Sequence, residues 1–331
     1  MKYFFLFLSF LIFSCTQSPA VPEIPKIIFD TDFGGDADDL GALAMLNHFH
    51  NRGECELLAV MCWNTETYSV PAVSAVNGFY GNPDILVGAR KVAGEHIPWN
   101  HSKVIADNFP YKVDKETAPE STALYRKLLS EANDSELVIV TVGPLANIMN
   151  LIDSGPDDYS SMTGKELIKN KVKEFVIMGG QFPSGQKEWN FDGAMPGVTK
   201  YVVENIEVPI VFSGYEVGVD IKSGEVFNEL PADHPLYKGF LHFSEHSPWL
   251  NDQWQGKIYD NSTYDQTAVL YAVRVGIGEY WELETGGICV PDSVGGNSWE
   301  KAANSDQSYL KLLKSNEEMA QVIETFMMGE F

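Results

Sequence analysis

Five aspartates fall close together in the stretch DTDFGGDADD: Asp30, Asp32, Asp36, Asp38 and Asp39. Carboxylates crowded in this way repel one another, and a cation among them relieves the repulsion. The stretch offers oxygen ligands only, with no His or Cys, so the ion it suits is hard, Ca²⁺ or Mg²⁺. A plainer reading is a solvated acidic loop whose last Asp caps a helix; it explains one aspartate and leaves four. Further residues able to do chemistry stand in VIVTVGPLAN (138–147), FVIMGGQFPSGQKEWNF (175–191) and STYDQTA (262–268).

The elements around these stretches read as follows. Ile27, Ile28 and Phe29 after Lys26 form a short buried strand, and Leu40, Leu43, Ala44, Met45 and Leu46 start an apolar-faced helix. The acidic stretch therefore lies at the carboxyl end of a strand, where open α/β sheets bind ligands. Further short apolar strands are expected at 57–62, 85–87, 137–142, 175–178 and 208–212, and helices at 68–80, 120–131, 145–152, 194–204 and 263–275. This alternation predicts an α/β fold with an open, mostly parallel sheet and helices on both faces. Residues 89–119 read as a long loop, and the last 45 or so as a strand pair and a helix near 316–327. Residues 231–264 are aromatic and polar, with His234, His242, His246, Trp249 and Trp254, and read as a lid or wall for a flat ligand. No linker divides residues 26–331, which predicts a single domain.

Composition sets the limits. A chain of 331 residues, 44% apolar and 12% aromatic, can bury a large core. With 46 acidic against 23 basic residues, a net charge of −23, it has no electrostatic means of holding nucleic acid. Small neutral ligands and cations suit it better. At the start, Lys2 precedes an apolar run from Tyr3 to Phe13, too short to span a membrane and of signal-peptide size. The run ends LIFSC, which resembles the bacterial lipobox, although Phe13 is larger than the small residue usual there. This predicts a lipoprotein signal peptide at 1–14, a lipid anchor on Cys15 as the sole membrane attachment, a proline-rich tether at 15–25, and an exported domain on the periplasmic face. Cys55, Cys62 and Cys289 are expected to be buried free thiols.

Taken in order, DTDFGGDADD, GPLAN, EWN and the Asp of STYDQTA resemble the nucleoside hydrolase family, the calcium-dependent N-ribohydrolases. The resemblance spans residues 26–290 and implies an open α/β sheet, a small nucleoside-like substrate and Ca²⁺ as cofactor. It leaves a homo-oligomer open. It implies calcium ligands at Asp32, Asp39, Asp265 and the backbone carbonyl of Val142. Two cis ribose hydroxyls can join a calcium coordination sphere, and Asp32 can take the proton of a metal-bound water. Glu188, Asn190 and Asn64 would hold ribose hydroxyls, and Trp189 would line the sugar. The acidic loop is two residues longer than the commonest family form, so either Asp36 or Asp38 is expected to contact ribose. The chain departs from its relatives at Tyr264, where many members carry His, and at Phe182, where Asn is usual. Tyr264, His242 and His246 are therefore candidates for helping the leaving base depart. Two rivals remain: a lipid-anchored binding protein for a ribosylated or polyol ligand, and a haloacid dehalogenase-type phosphatase using Asp30 as nucleophile.

Overall fold

The apolar run after Lys26 seats the first strand, β1 (Lys26–Thr31), in the middle of the sheet. Ile27 and Phe29 face one core and Ile28 the other, so the strand is covered on both sides, as parallel strands require. The computed structural model describes residues 24–331. The expected signal peptide, Cys15 and nearly all of the tether lie outside them.

The other strands are β2 (Glu56–Cys62), β3 (Leu86–Ala89), β4 (Leu137–Thr141), β5 (Val172–Met178), the two-residue β6 (Ser184–Gly185), β7 (Ile210–Ser213), β8 (Lys222–Ser223), β9 (Asn261–Ser262), β10 (Trp281–Glu284), β11 (Gly287–Pro291), β12 (Asn297–Lys301) and β13 (Gln307–Leu312). Eight of them form the main sheet in the order β10-β13-β7-β5-β4-β1-β2-β3. All neighbours in it are parallel except β10, which runs antiparallel to β13. β11, β12 and β6 make a small second sheet, and β8 pairs with β9.

Helices cover both faces. Those on the larger core are α1 (Asp38–Arg52), α2 (Ser69–Phe79) and α3 (Ser102–Asn108). The opposite face takes α4 (Ser121–Glu131), α5 (Ala146–Asp153), α6 (Gly164–Lys171) and, after the single turn α7 (Trp189–Asp192), α8 (Val198–Asn205). After the short α9 (Tyr215–Gly218), the chain returns to the first face with α10 (Pro235–His246), α11 (Tyr264–Arg274) and α12 (Asn316–Met328).

The expected α/β architecture is present; besides α6, which is not among the expected helices, three differences stand out. The stretch read as a loop at 89–119 contains α3. Of the strands near the end, β11 and β12 pair as expected, in the small sheet with β6, but β13 joins the main sheet, because Tyr309 and Leu310 are buried beside β7. Part of the aromatic stretch is the helix α10, started by Pro235 behind the capping side chain of His234.

Candidate active site

The chain leaves β1 toward β2 and β3 on one side and later returns to β4 on the other. The carboxyl end of β1 is thus a topological switch point, where a crevice opens. Asp30 and Thr31 still belong to β1, and α1 begins at Asp38. Only 32–37 is free loop. The β4 exit runs hard against it: Val142 N donates to Asp30 O at 2.8 Å. A Cβ on Gly143 would lie 2.7 Å from Asp32 N, so glycine is needed there.

Asp38 and Asp39 occupy the first turn of α1, where the helix dipole favours negative charge. Asp265 lies in the first turn of α11, which packs along α1. Asp38, Asp39 and Asp265 are buried, and each offers a carboxylate oxygen within 4.8 Å of the others. Asp265 N donates to Asp38 Oδ2 at 3.4 Å, and the Thr31 hydroxyl donates to Asp39. Burial first, and neighbouring carboxylates second, push all three well above the usual carboxylate range. As charged groups they need a cation among them. An all-oxygen donor set of this kind fits a hard ion.

Asp32 is half-buried beside this trio. Its Oδ2 accepts from Trp189 Nε1 at 3.0 Å. Burial raises its carboxyl to about 6, against the lowering effect of that hydrogen bond. Asp36 accepts from Ala37 N at 2.6 Å and from the Asn261 amide, which ties the acidic loop to β9. Burial raises it too, to about 6, with Lys222 opposing. Asn64 Nδ2 donates to Asp32 O at 3.4 Å.

Glu188 caps α7. Its carboxylate accepts from the backbone N–H groups of Gly180, Asn190 and Phe191 at 2.8, 3.0 and 3.1 Å. Burial nonetheless raises it to about 7. Asn190 Nδ2 donates to Val142 O at 3.0 Å and to Met178 O at 3.2 Å. It therefore holds the ends of β4 and β5 together and touches the carbonyl expected to bind metal. Trp189, between these two buried residues, is 56% exposed. Tyr264 stacks on Tyr215, with ring centroids 5.3 Å apart, and burial lifts its hydroxyl above the ordinary tyrosine value.

Among the described residues, no hydrogen bond or ring contact joins His246 to this cluster. It ends α10 with its ring stacked on His242 at 4.2 Å and its Nδ1 2.9 Å from His242 O. Leu236, Phe240 and Phe243 turn inward from the same helix, and His242 Nε2 lies 3.1 Å from Pro98 O.

Other buried residues brace the site. Asp30, the nucleophile a phosphatase would need, accepts from Tyr125 OH at 2.8 Å and from Asn147 Nδ2 at 3.1 Å. It is sealed inside the sheet, which argues against that role. The signal for Asn147 is the last residue of GPLAN; Tyr125 carries none. Glu66 is a second braced acid, accepting from Tyr68 N and from the hydroxyls of Ser69 and Ser102.

The chain matches the family model described as inosine-uridine preferring nucleoside hydrolase over residues 27–325. A comparison with curated protein sequences finds no match. Among solved structures, the chain is similar to the inosine-uridine preferring nucleoside hydrolase from Bacillus anthracis, at 16% identity and TM-score 0.64, covering 93% of this chain and 100% of that one. A plant nucleoside hydrolase, PpNRh1, aligns at 16% identity and TM-score 0.62, covering 92% and 98%. An inosine-guanosine nucleoside hydrolase aligns at 17% identity and TM-score 0.61, also covering 92% and 98%.

Proposed function

The chain belongs to the inosine-uridine preferring nucleoside hydrolase family and is a hydrolase acting on N-glycosyl bonds; from that premise we propose that it splits a ribonucleoside into ribose and base, with Ca²⁺ as cofactor and Asp32 as general base. The observation that most supports this reading is the buried trio Asp38, Asp39 and Asp265 at the switch point. Asp39 and Asp265 would hold the ion, with Asp38 beside them, Asp32 at the edge and the Val142 carbonyl on the β4 side. When bound, Ca²⁺ would supply Lewis-acid activation of water and a seat for two cis ribose hydroxyls.

The chain's own groups do the rest. Asp32, whose Oδ2 accepts from Trp189 Nε1, takes the proton of the attacking water. Asn64 and the outer face of Trp189 bound the sugar. Glu188 and Asn190 act mainly by fixing the loops that carry Trp189 and Val142. Tyr264, beside Asp265, would hydrogen-bond the departing base, whose charge grows in an oxocarbenium-like transition state. We further propose, from the apolar run ending at Ser14-Cys15, that the protein is exported and lipid-anchored on Cys15. Mass spectrometry of the N-terminal peptide tests that, and an unmodified Met1 would rule it out.

Release of reducing sugar from a panel of purine and pyrimidine nucleosides, with and without chelator, tests the main reading. Turnover lost on chelation and restored by Ca²⁺ is the expected result. Tight riboside binding without turnover would favour the binding-protein alternative.

A further inference from the structure

The chain contains four arginines. Three are matched by carboxylates: Arg52 and Arg274 on Glu54, and Arg126 on Asp157. Arg90 differs. Among the described residues it has no carboxylate within ion-pair distance. Its guanidinium lies over the Trp63 ring, 5.3 Å from the centroid, and its Nη2 reaches Met195 Sδ at 3.7 Å, a weak acceptor. Asp30 attracts it through space, but that carboxylate is spent on Tyr125 and Asn147. Next to Arg90, Trp63 Nε1 is buried with no hydrogen-bond partner. A cation and an N–H donor thus stand unspent together, in a chain with twice as many acids as bases.

Their place gives them a use. Arg90 directly follows β3, and its N–H donates to Cys62 O at the end of β2. Trp63 and Asn64 come next on β2, and Asn64 touches the Asp32 carbonyl. Met195, on the other side of Arg90, follows α7, whose Trp189 bonds the Asp32 carboxylate. Arg90 therefore bridges the two segments that flank Asp32, on the same rim of strand ends.

We propose that the substrate is a ribosyl compound carrying a phosphate on its sugar, and that Arg90, with Trp63 Nε1, binds that phosphate. The proposal rests on the ribosyl reading above, because the two segments that Arg90 bridges carry Asn64 and Trp189, the residues assigned to the sugar. A guanidinium pairs with phosphate through two parallel N–H donors, and its stacking on Trp63 holds the fork in place. It also offsets the repulsion that five nearby aspartates exert on an anionic ligand.

Calorimetric titration of ribose and of ribose 5-phosphate into the calcium-loaded protein tests this without requiring turnover. The wild type should prefer ribose 5-phosphate by about 10-fold or more, as one charged bidentate contact allows. In Arg90→Gln the ratio should fall toward one. Arg90→Lys, which keeps charge without the fork, should lie between, and it carries the test if Arg90→Gln does not fold. Equal affinities in the wild type, or an unchanged ratio in both variants, overturn the proposal. Turnover of uridine and uridine 5′-monophosphate is measured alongside. If neither is hydrolysed while the phosphate preference holds, the hydrolytic reading fails and this one stands.

Discussion

Trp189 Nε1 donates to Asp32 Oδ2 at 3.0 Å, so an indole that is 56% exposed holds the carboxylate assigned as general base. The bond limits the rotation of the carboxylate. Trp189→Phe keeps the ring and removes the donor. A hydrogen bond to a charged group contributes about 1.5–3 kcal/mol, so kcat should drop by roughly 10-fold or more, with a smaller change in KM. Ligand binding at Asp32 should also alter the emission of Trp189. Subtracting the fluorescence response of Trp189→Phe from that of the wild type reads this directly, and identical responses would remove Trp189 from the site.

Asp32→Asn keeps the shape of the side chain and one ligand oxygen but removes most of its basicity. A positioned general base contributes about 10²–10⁴-fold, and kcat should fall within that range. The assay is run with calcium content checked in the same sample. Near-wild-type turnover with metal bound would mean that another group takes the proton.

Chelation should lower thermal stability, and added Ca²⁺ should restore it, because the ion binds the folded state alone. At about 100 times its Kd a ligand adds about 2.7 kcal/mol. Asp39→Asn and Asp265→Asn should each abolish the calcium-dependent rise in Tm, since both belong to the buried trio. Elemental analysis that finds no calcium in protein purified without chelator, and none after soaking, would defeat the assignment.

His101 makes stability depend on pH. The ring is fully buried edge-on to Phe33, and among the described residues neither nitrogen has a hydrogen-bond partner. Burial, helped by the charge of His242, lowers its pKa from 6.5 to about 3. The folded state thus keeps His101 neutral where the unfolded chain protonates it. Its contribution is complete above about pH 6.5 and is lost as pH falls toward 3. The slope reaches roughly 1.4 kcal/mol per pH unit. His101→Phe keeps an aromatic ring and the backbone bond to Gly34 O. Urea denaturation at pH 7.5 and 5 should show a flatter dependence in the variant, and equal slopes would show that His101 titrates normally in the fold.

What could be read from the chain follows from how local each signal is. The crowding from Asp30 to Asp39 announces a cation site by itself, and strand–helix alternation gives the parallel sheet. Asp265 has no local mark; the apolar face of α11 packed along α1 carries it to the trio. Tyr125 and the Arg90–Trp63 pair have roles that exist only between segments far apart in sequence, so their neighbours in the chain say nothing of them. The helix α6 is too polar for its periodicity to stand out, yet Thr163 and Glu166 form a capping box that marks its start. His246 sits in a stretch whose composition suggests a wall over the site. Its ring stacks on His242 and its Nδ1 lies by the His242 carbonyl, contacts that composition does not announce.

Departure of the base turns on Tyr264, which stands where the family resemblance implies histidine. The structure sets Tyr264 at the start of α11, next to Asp265 and stacked on Tyr215. Burial moves its hydroxyl further above the ordinary tyrosine value, so full proton transfer at neutral pH is unfavourable. A hydrogen bond to the leaving nitrogen needs no such transfer. It matters most when the leaving group is poor and accumulates charge. Tyr264→Phe should therefore slow hydrolysis of natural nucleosides by about 10-fold and leave a nitrophenyl riboside less affected. Tyr264→His, which restores a better acid, should recover the natural substrates. Equal losses on both substrate types in Tyr264→Phe would assign the residue to packing against Tyr215. No loss on either would take it out of catalysis.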